Sequence, residues 1–180
     1  MDKAKMYQVS TLQALAMGHT RSVIDVAELK LHGDTGLGTY EGVGGEMIML
    51  DGTCYRATED GSVIVAEDSM GVPFASVSHL LRIRSCELEK IDSIDALKNV
   101  LNNMIEEDFG LNSMHMARID GEFEVIHARS ESAYHAIHIS LKDMLSETQK
   151  SFQFDEVKGT LVCVYYPDYM DDKHRLTFPS

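Results

Sequence analysis

Tryptophan is absent from this 180-residue chain, and proline and cysteine occur three times each. Cys54, Cys86 and Cys163 are odd in number and far apart, which excludes a disulfide framework and a CxxC site. Cys54 and Cys163 lie inside strand-like apolar patterns and read as buried thiols. Cations are scarce too, with 16 Lys and Arg against 29 Asp and Glu, a formal net charge of −13. Nucleic acid and anionic membranes both require a basic face, so neither is an expected partner. A small anionic substrate stays compatible if a local cation offsets the field. No apolar run approaches the roughly 18 residues of a membrane span, and MDKAKMYQVS has no signal-peptide core. The expected location is cytoplasmic. Also missing are a GxGxxG after a strand, a Lys-Ser or Lys-Thr behind the glycines of GDTGLG, and a GxSxG elbow. Dinucleotide, phosphate-cradle and serine-hydrolase readings fall with them.

Glycine, by contrast, is plentiful and placed. GDTGLGTYEGVGGEMIMLDGTCYRATEDGSVIVA carries Asp51-Gly52 and Asp60-Gly61 between apolar runs, a strong short-range hairpin signal. A strand meander is expected near residues 37–41, 46–50, 53–57 and 62–66, with another strand or two in PFASVSHLLRIRSCELE. Two short helices precede it: TLQALAMG with Ser10 as cap, and DVAELKLHG ending at Gly33. SIDALKNVLNNMIEEDFG is the clearest helix, with Ile94, Leu97, Leu101, Met104 and Ile105 at helical spacing, Ser93 as cap and Gly110 as stop. Beyond it, a hairpin is expected around Asp120-Gly121, a polar-faced helix in SLKDMLSETQK, and a final strand in VKGTLVCVYY. GGEMIML and DGEFEVI echo one another, which hints at a duplicated unit. The fold class is α+β with mixed or antiparallel sheets.

Three residues stand out chemically. Glu46 sits where the glycine-rich loop meets the apolar strand MIML, a setting that desolvates a carboxylate, raises its pKa and suits proton transfer. The competing reading is a solvated residue at a strand start. Arg129 follows the apolar stretch EVIHA and is suited to gripping a carboxylate in a forked pair, against the more ordinary surface arginine. Thr39 can donate a hydrogen bond into the same space, or be a strand threonine with no further role. Among eight histidines, His135 and His138 are spaced to chelate on a helix face, with no third ligand at a recognisable spacing. His115 and His127 are expected to pair across a hairpin.

From Tyr7 to Ala75 the chain reads YQVSTLQALAMG, ELKLHGDTGLGTYEGVGGEMIMLDGTCYRATEDGSV and VPFASV. This stretch closely resembles the α-acetolactate decarboxylase family. The likeness extends more loosely through ALKNVLNNMIEE, IDGEFEVIHARS and VKGTLVCVYYPDY. The resemblance implies a single domain over residues 1–180 of two similar halves, the first about 1–90 and the second, incomplete, about 91–180. It implies conversion of 2-acetolactate to acetoin and carbon dioxide in the acetoin and butanediol route, by cytoplasmic homodimers holding zinc through three histidines. Thr39 and Glu46 fall on the family's active-site threonine and glutamate, and Arg129 on its substrate-binding arginine.

The family pattern changes after Pro-Asp-Tyr. Laying HRLTF over the family's Tyr-His-Leu-His-Phe puts Arg175 and Thr177 at the two ligand positions, and arginine has no lone pair to offer a metal. No metal residue carries over. The expectation is a C-terminally shortened homologue in which zinc is absent or weakly bound and GTLVCVYY is an exposed apolar edge. The alternative function is an inactive remnant, or a protein that binds a small acid or another subunit.

Overall fold

The computed structural model describes residues 5–80, 84–108, 113–131 and 149–166. In chain order the strands are β1 (Met6–Val9), β2 (Ile24–Asp25), β3 (Thr35–Thr39), β4 (Glu46–Leu50), β5 (Thr53–Ala57), β6 (Val63–Val65), β7 (Gly71–Val72), β8 (Phe74–Ser78), β9 (His115–Glu131) and β10 (Gln149–Tyr165). The helices are α1 (Leu12–Ala16), α2 (Val26–Leu29) and α3 (Ile94–Asp108). Six strands form one sheet in the order β1-β8-β3-β4-β5-β6, each antiparallel to its neighbours, while β9 and β10 form a long antiparallel ribbon.

The expected meander is present. Asp51 and Gly52 both adopt left-handed backbone, φ 49° and 79°, and turn β4 into β5. Gly61, φ 84°, closes the next turn, where the Thr58 amide donates to the Ser62 carbonyl at 2.9 Å. Alternation then sorts the side chains into two faces. Val9, Met47, Met49, Cys54, Ala75 and Val77 point to one side and are buried under Val26 and Leu29 of α2 and Val72 of β7. Burial pushes the Cys54 thiol up to about 11, so it serves as a small apolar core residue. The opposite face carries Leu37, Thr39, Glu46, Ile48, Phe74 and Ser76. Here Leu37 and Phe74 pack with Val43 and with Leu12 and Leu15 of α1.

Side-chain hydrogen bonds tie the end and body of the β9–β10 ribbon to this sheet. Arg118 Nη1 donates to both carboxylate oxygens of Asp51, at 2.9 and 3.1 Å. Ser130 Oγ donates to the Ala57 carbonyl at 3.0 Å, and the Tyr166 and Ser76 hydroxyls share a hydrogen bond of 2.8 Å. These ties cover the closing strand. Among the described residues β10 pairs only with β9, so GTLVCVYY is an edge as expected, but its apolar side chains are not exposed: Val162 is buried and Leu161, Cys163, Val164 and Tyr165 are half-buried.

Other local expectations are corrected. Asp120-Gly121 makes no turn. Both residues run on within β9, Gly121 facing Gly159 across the ribbon. His115 and His127 therefore lie on the same strand and do not pair across a hairpin. The cap of α1 is Thr11, whose hydroxyl accepts from the Ala14 amide, and Ser10 has φ 58°. In PFASVSHLLRIRSCELE only Phe74–Ser78 is a strand among the described residues. In α3, Ser93 Oγ accepts from the Ala96 amide at 3.1 Å, as its spacing predicts. Leu97 and Ile105 are buried, but Ile94 is 60% exposed at the helix start. Gly110 and residues 140–148 of the expected polar helix lie outside the described residues, and Gln149 and Lys150 open β10.

Asp34, just before β3, gives the sheet a pH-sensitive tie. Partial burial raises its pKa, but hydrogen bonds from the Leu80 amide, the Thr35 hydroxyl and His79 outweigh it and hold the carboxyl below its ordinary value. A depressed folded-state pKa contributes stability above the unfolded value of about 3.9 and loses it as pH falls through the folded one. Asp34→Asn should therefore lower the melting temperature at neutral pH and flatten the acid limb below about pH 4, read by thermal melts across pH. Parallel acid limbs for the two proteins would refute that assignment.

Candidate active site

The turn between β3 and β4, Tyr40–Gly45, is built to deliver Glu46 in one orientation. It reverses direction with left-handed backbone at Gly42, Val43 and Gly45, φ 68°, 54° and 106°. A β-branched residue is strained there, and Val43 is held by burial against Leu15 and Phe74. The turn is closed by the Gly44 amide donating to the Tyr40 carbonyl at 3.3 Å and the Tyr40 amide to Gly45 at 3.4 Å. Side chains then fix its last two carbonyls. Thr39 Oγ1 donates to Gly45 O at 3.0 Å, and Arg56 Nε to Gly44 O at 2.6 Å.

Glu46 follows at once as the first residue of β4. It lies directly opposite Thr39 on one side and Ala57 on the other, and directly opposed residues project from the same face of a sheet. Thr39 is buried and Glu46 half-buried, with Phe74 opposite Thr39 on its other flank. The structure thus sets these two predicted residues side by side. The Thr39 proton is committed to Gly45, so its work here is to hold the turn.

Arg129 reaches the same end of the sheet by another route. Its neighbour Ser130, 2% exposed, is docked on the carbonyl of Ala57, the residue paired with Glu46. Phe152, which faces Ala128 on the ribbon, lies against Gly61, where an added Cβ would stand 2.7 Å from the ring. Alternation sends Ser130 inward and Arg129 out on the opposite side of β9, where it is exposed. The backbone of Arg129 is fixed near the Glu46 corner, and its guanidinium leaves the ribbon toward solvent.

Ser130 and Arg56 escaped the sequence reading. A serine at a strand end carries no local signal. Arg56 had one: in TCYRA a single cation occupies a position that alternation assigns to the apolar side, beneath Met47. His135, His138, Arg175 and Thr177 lie outside the described residues. Among the described residues, no three His, Cys, Asp or Glu side chains come together as a metal-holding group. The arrangement places the Glu46 carboxyl group beside Thr39 and Ala57, with the backbone of Arg129 fixed at the same end of the sheet.

Comparison with known proteins extends the picture over nearly the whole chain. Residues 6–175 match a family model described as alpha-acetolactate decarboxylase. The alpha-acetolactate decarboxylase of Methanosarcina mazei is 34% identical over 165 residues, which are 92% of this chain and 56% of that protein. That of Brevibacillus brevis is 30% identical over 168 residues, 93% of this chain and 57% of that protein. This chain thus spans little more than half the length of either. The X-ray structure of alpha-acetolactate decarboxylase from Bacillus subtilis strain 168 superposes with a TM-score of 0.85 at 27% identity, covering 92% of this chain and 69% of that one.

Proposed function

This chain belongs to the α-acetolactate decarboxylase family, and on that premise we propose that it binds 2-acetolactate at the Glu46 corner and releases carbon dioxide to give acetoin. The observation that carries the reading is the Thr39–Glu46 pair, held by its turn at the sheet end where Ser130 docks the Arg129 strand. The zinc implied by the resemblance finds no three-donor group among the described residues, and a divalent cation, where bound, would stabilise the developing enediolate charge.

2-Acetolactate is a 2-hydroxy-3-keto acid. Cleavage of the bond between C2 and the carboxylate carbon releases carbon dioxide and leaves the electron pair on C2, delocalised onto the C3 oxygen as an enediolate. Arg129 supplies the local cation that an anionic substrate needs at a protein of net charge −13, and pairs with the carboxylate before it departs. Glu46 enters the step protonated and delivers its proton to C2, completing acetoin. Because the turn holds Glu46 against one face of the sheet, the proton arrives from one side and a single acetoin enantiomer is expected.

Purified chain incubated with racemic 2-acetolactate should form acetoin and carbon dioxide, with metal content measured on the same sample. Arg129→Lys keeps the charge and loses the fork, so KM should rise about tenfold to a hundredfold with kcat less affected. No acetoin and no calorimetric binding of 2-acetolactate by the wild-type chain would sink the proposal. Binding without turnover would convert it into a small-acid binding protein.

A further inference from the structure

Thr39 and Arg56 both brace the turn that presents Glu46, and Arg56 is the one that reaches it from another strand, β5. Arg56 lies on β5 opposite Met47, one residue before the Ala57 that faces Glu46. Its Nε donates to the Gly44 carbonyl at 2.6 Å, two residues ahead of Glu46. Its guanidinium carbon stands 5.9 Å from the centroid of the Tyr40 ring, at the other end of the same turn. Tyr40 is 2% exposed, and its hydroxyl donates to the Tyr55 carbonyl at 3.2 Å. One planar cation therefore touches the first and the fifth residues of the six-residue segment Tyr40–Gly45. Between its contacts lie two of the three left-handed residues, Gly42 and Val43, and the third, Gly45, sits directly beneath it: a Cβ there would be 3.2 Å from Arg56 Nε.

We propose that Arg56 is the positioning residue for Glu46, holding Gly44 and Tyr40 in the one arrangement that aims the acid at C2. This rests on the decarboxylase reading and adds a residue to it. The physical reason for arginine is its shape. A guanidinium donates through Nε to the carbonyl while its carbon stays within cation–π range of the aromatic ring, and an ammonium on a flexible stem offers only a point charge. The hydrogen bond is charge-assisted, and a turn with three residues in left-handed backbone depends on such an external tie to stay in one conformation. Arg56 acts through the backbone and touches no substrate. Its loss should degrade aim, which appears in kcat and in product stereochemistry, and should leave the Arg129-dependent KM nearly as it was.

The test compares wild type, Arg56→Met and Arg56→Lys. Methionine keeps an unbranched stem and removes the donor, and lysine restores a charge without the planar fork. Expected for Arg56→Met are a fall in kcat of roughly tenfold to a hundredfold, a KM within about threefold of wild type, and a clear drop in the enantiomeric excess of acetoin. Arg56→Lys should recover most of the melting temperature but not the enantiomeric excess. Hydrogen exchange of wild type and Arg56→Met supplies a readout that needs no turnover, with faster exchange expected at residues 42–47 and none at β9 or α3. A variant that lowers melting temperature and kcat together while keeping full enantiomeric excess would overturn the proposal, as would exchange that is unchanged or raised everywhere. If the wild-type chain neither binds nor converts 2-acetolactate, the functional reading falls on that result, and local against global exchange still decides whether Arg56 organises the turn.

Discussion

Gly45→Ala should destabilise the protein by roughly 3–5 kcal/mol and remove its activity in the same stroke. Two independent costs meet at this position. Backbone φ is 106°, where an L side chain is strained, and the new methyl would stand 2.4 Å from the Ala57 carbonyl, which β5 holds in the ladder with Glu46. Neither the carbonyl nor the turn can retreat cheaply, since the Ala57 carbonyl also accepts from Ser130 and the Gly45 carbonyl from Thr39. Gly52→Ala is the internal control. Its φ of 79° imposes the same class of strain, but nothing lies within 4 Å of the added methyl, so about 1–2 kcal/mol is expected. For a chain of this size the two variants should separate by several degrees in melting temperature. Equal melting temperatures would mean the close approach to Ala57 is not real, and the geometry placing Glu46 would go with it.

That comparison also marks how far the sequence alone could reach. Asp51-Gly52 and Asp60-Gly61 are turns because short apolar strands flank each pair and can fold back on one another. Asp120-Gly121 carries the same local signal and is straight, because each flank finds a better partner across the ribbon, Arg118 with Val162 and Phe123 with Val157. A local rule has no access to a competitor some forty residues away, and non-local pairing wins whenever it buries more. The site divides in the same way. Thr39 and Glu46 were legible because a hairpin register fixes their distance once β3 and β4 are recognised. Arg129 was legible only as a cation after an apolar stretch, and the family likeness gave it the substrate-binding role. Ser130 on Ala57 and Arg56 on Gly44 are tertiary contacts made by ordinary residue types, and only the folded chain displays them.

Glu46→Gln should lower kcat by about 10²–10⁴ while leaving fold and substrate affinity nearly unchanged. Glutamine matches glutamate in shape, and Glu46 is only half-buried at the sheet end, so the register with Thr39 and Ala57 has no reason to shift. What changes is the proton. Departure of carbon dioxide leaves the electron pair at C2, and acetoin forms only when that carbon is protonated. A carboxylic acid can donate and be replenished from solvent within each turnover, whereas an amide cannot. The residual reaction in the variant must take its proton from water, which can approach either side of the planar enediolate. Its acetoin should therefore be close to racemic, even where the wild-type product is a single enantiomer. Rate and stereochemistry together separate lost proton delivery from lost binding: Arg129→Lys should raise KM and keep enantiomeric excess, and Glu46→Gln should do the reverse. A Glu46→Gln protein with kcat within about tenfold of wild type, about 1.4 kcal/mol in barrier, and with its enantiomeric excess intact would remove Glu46 from the chemistry.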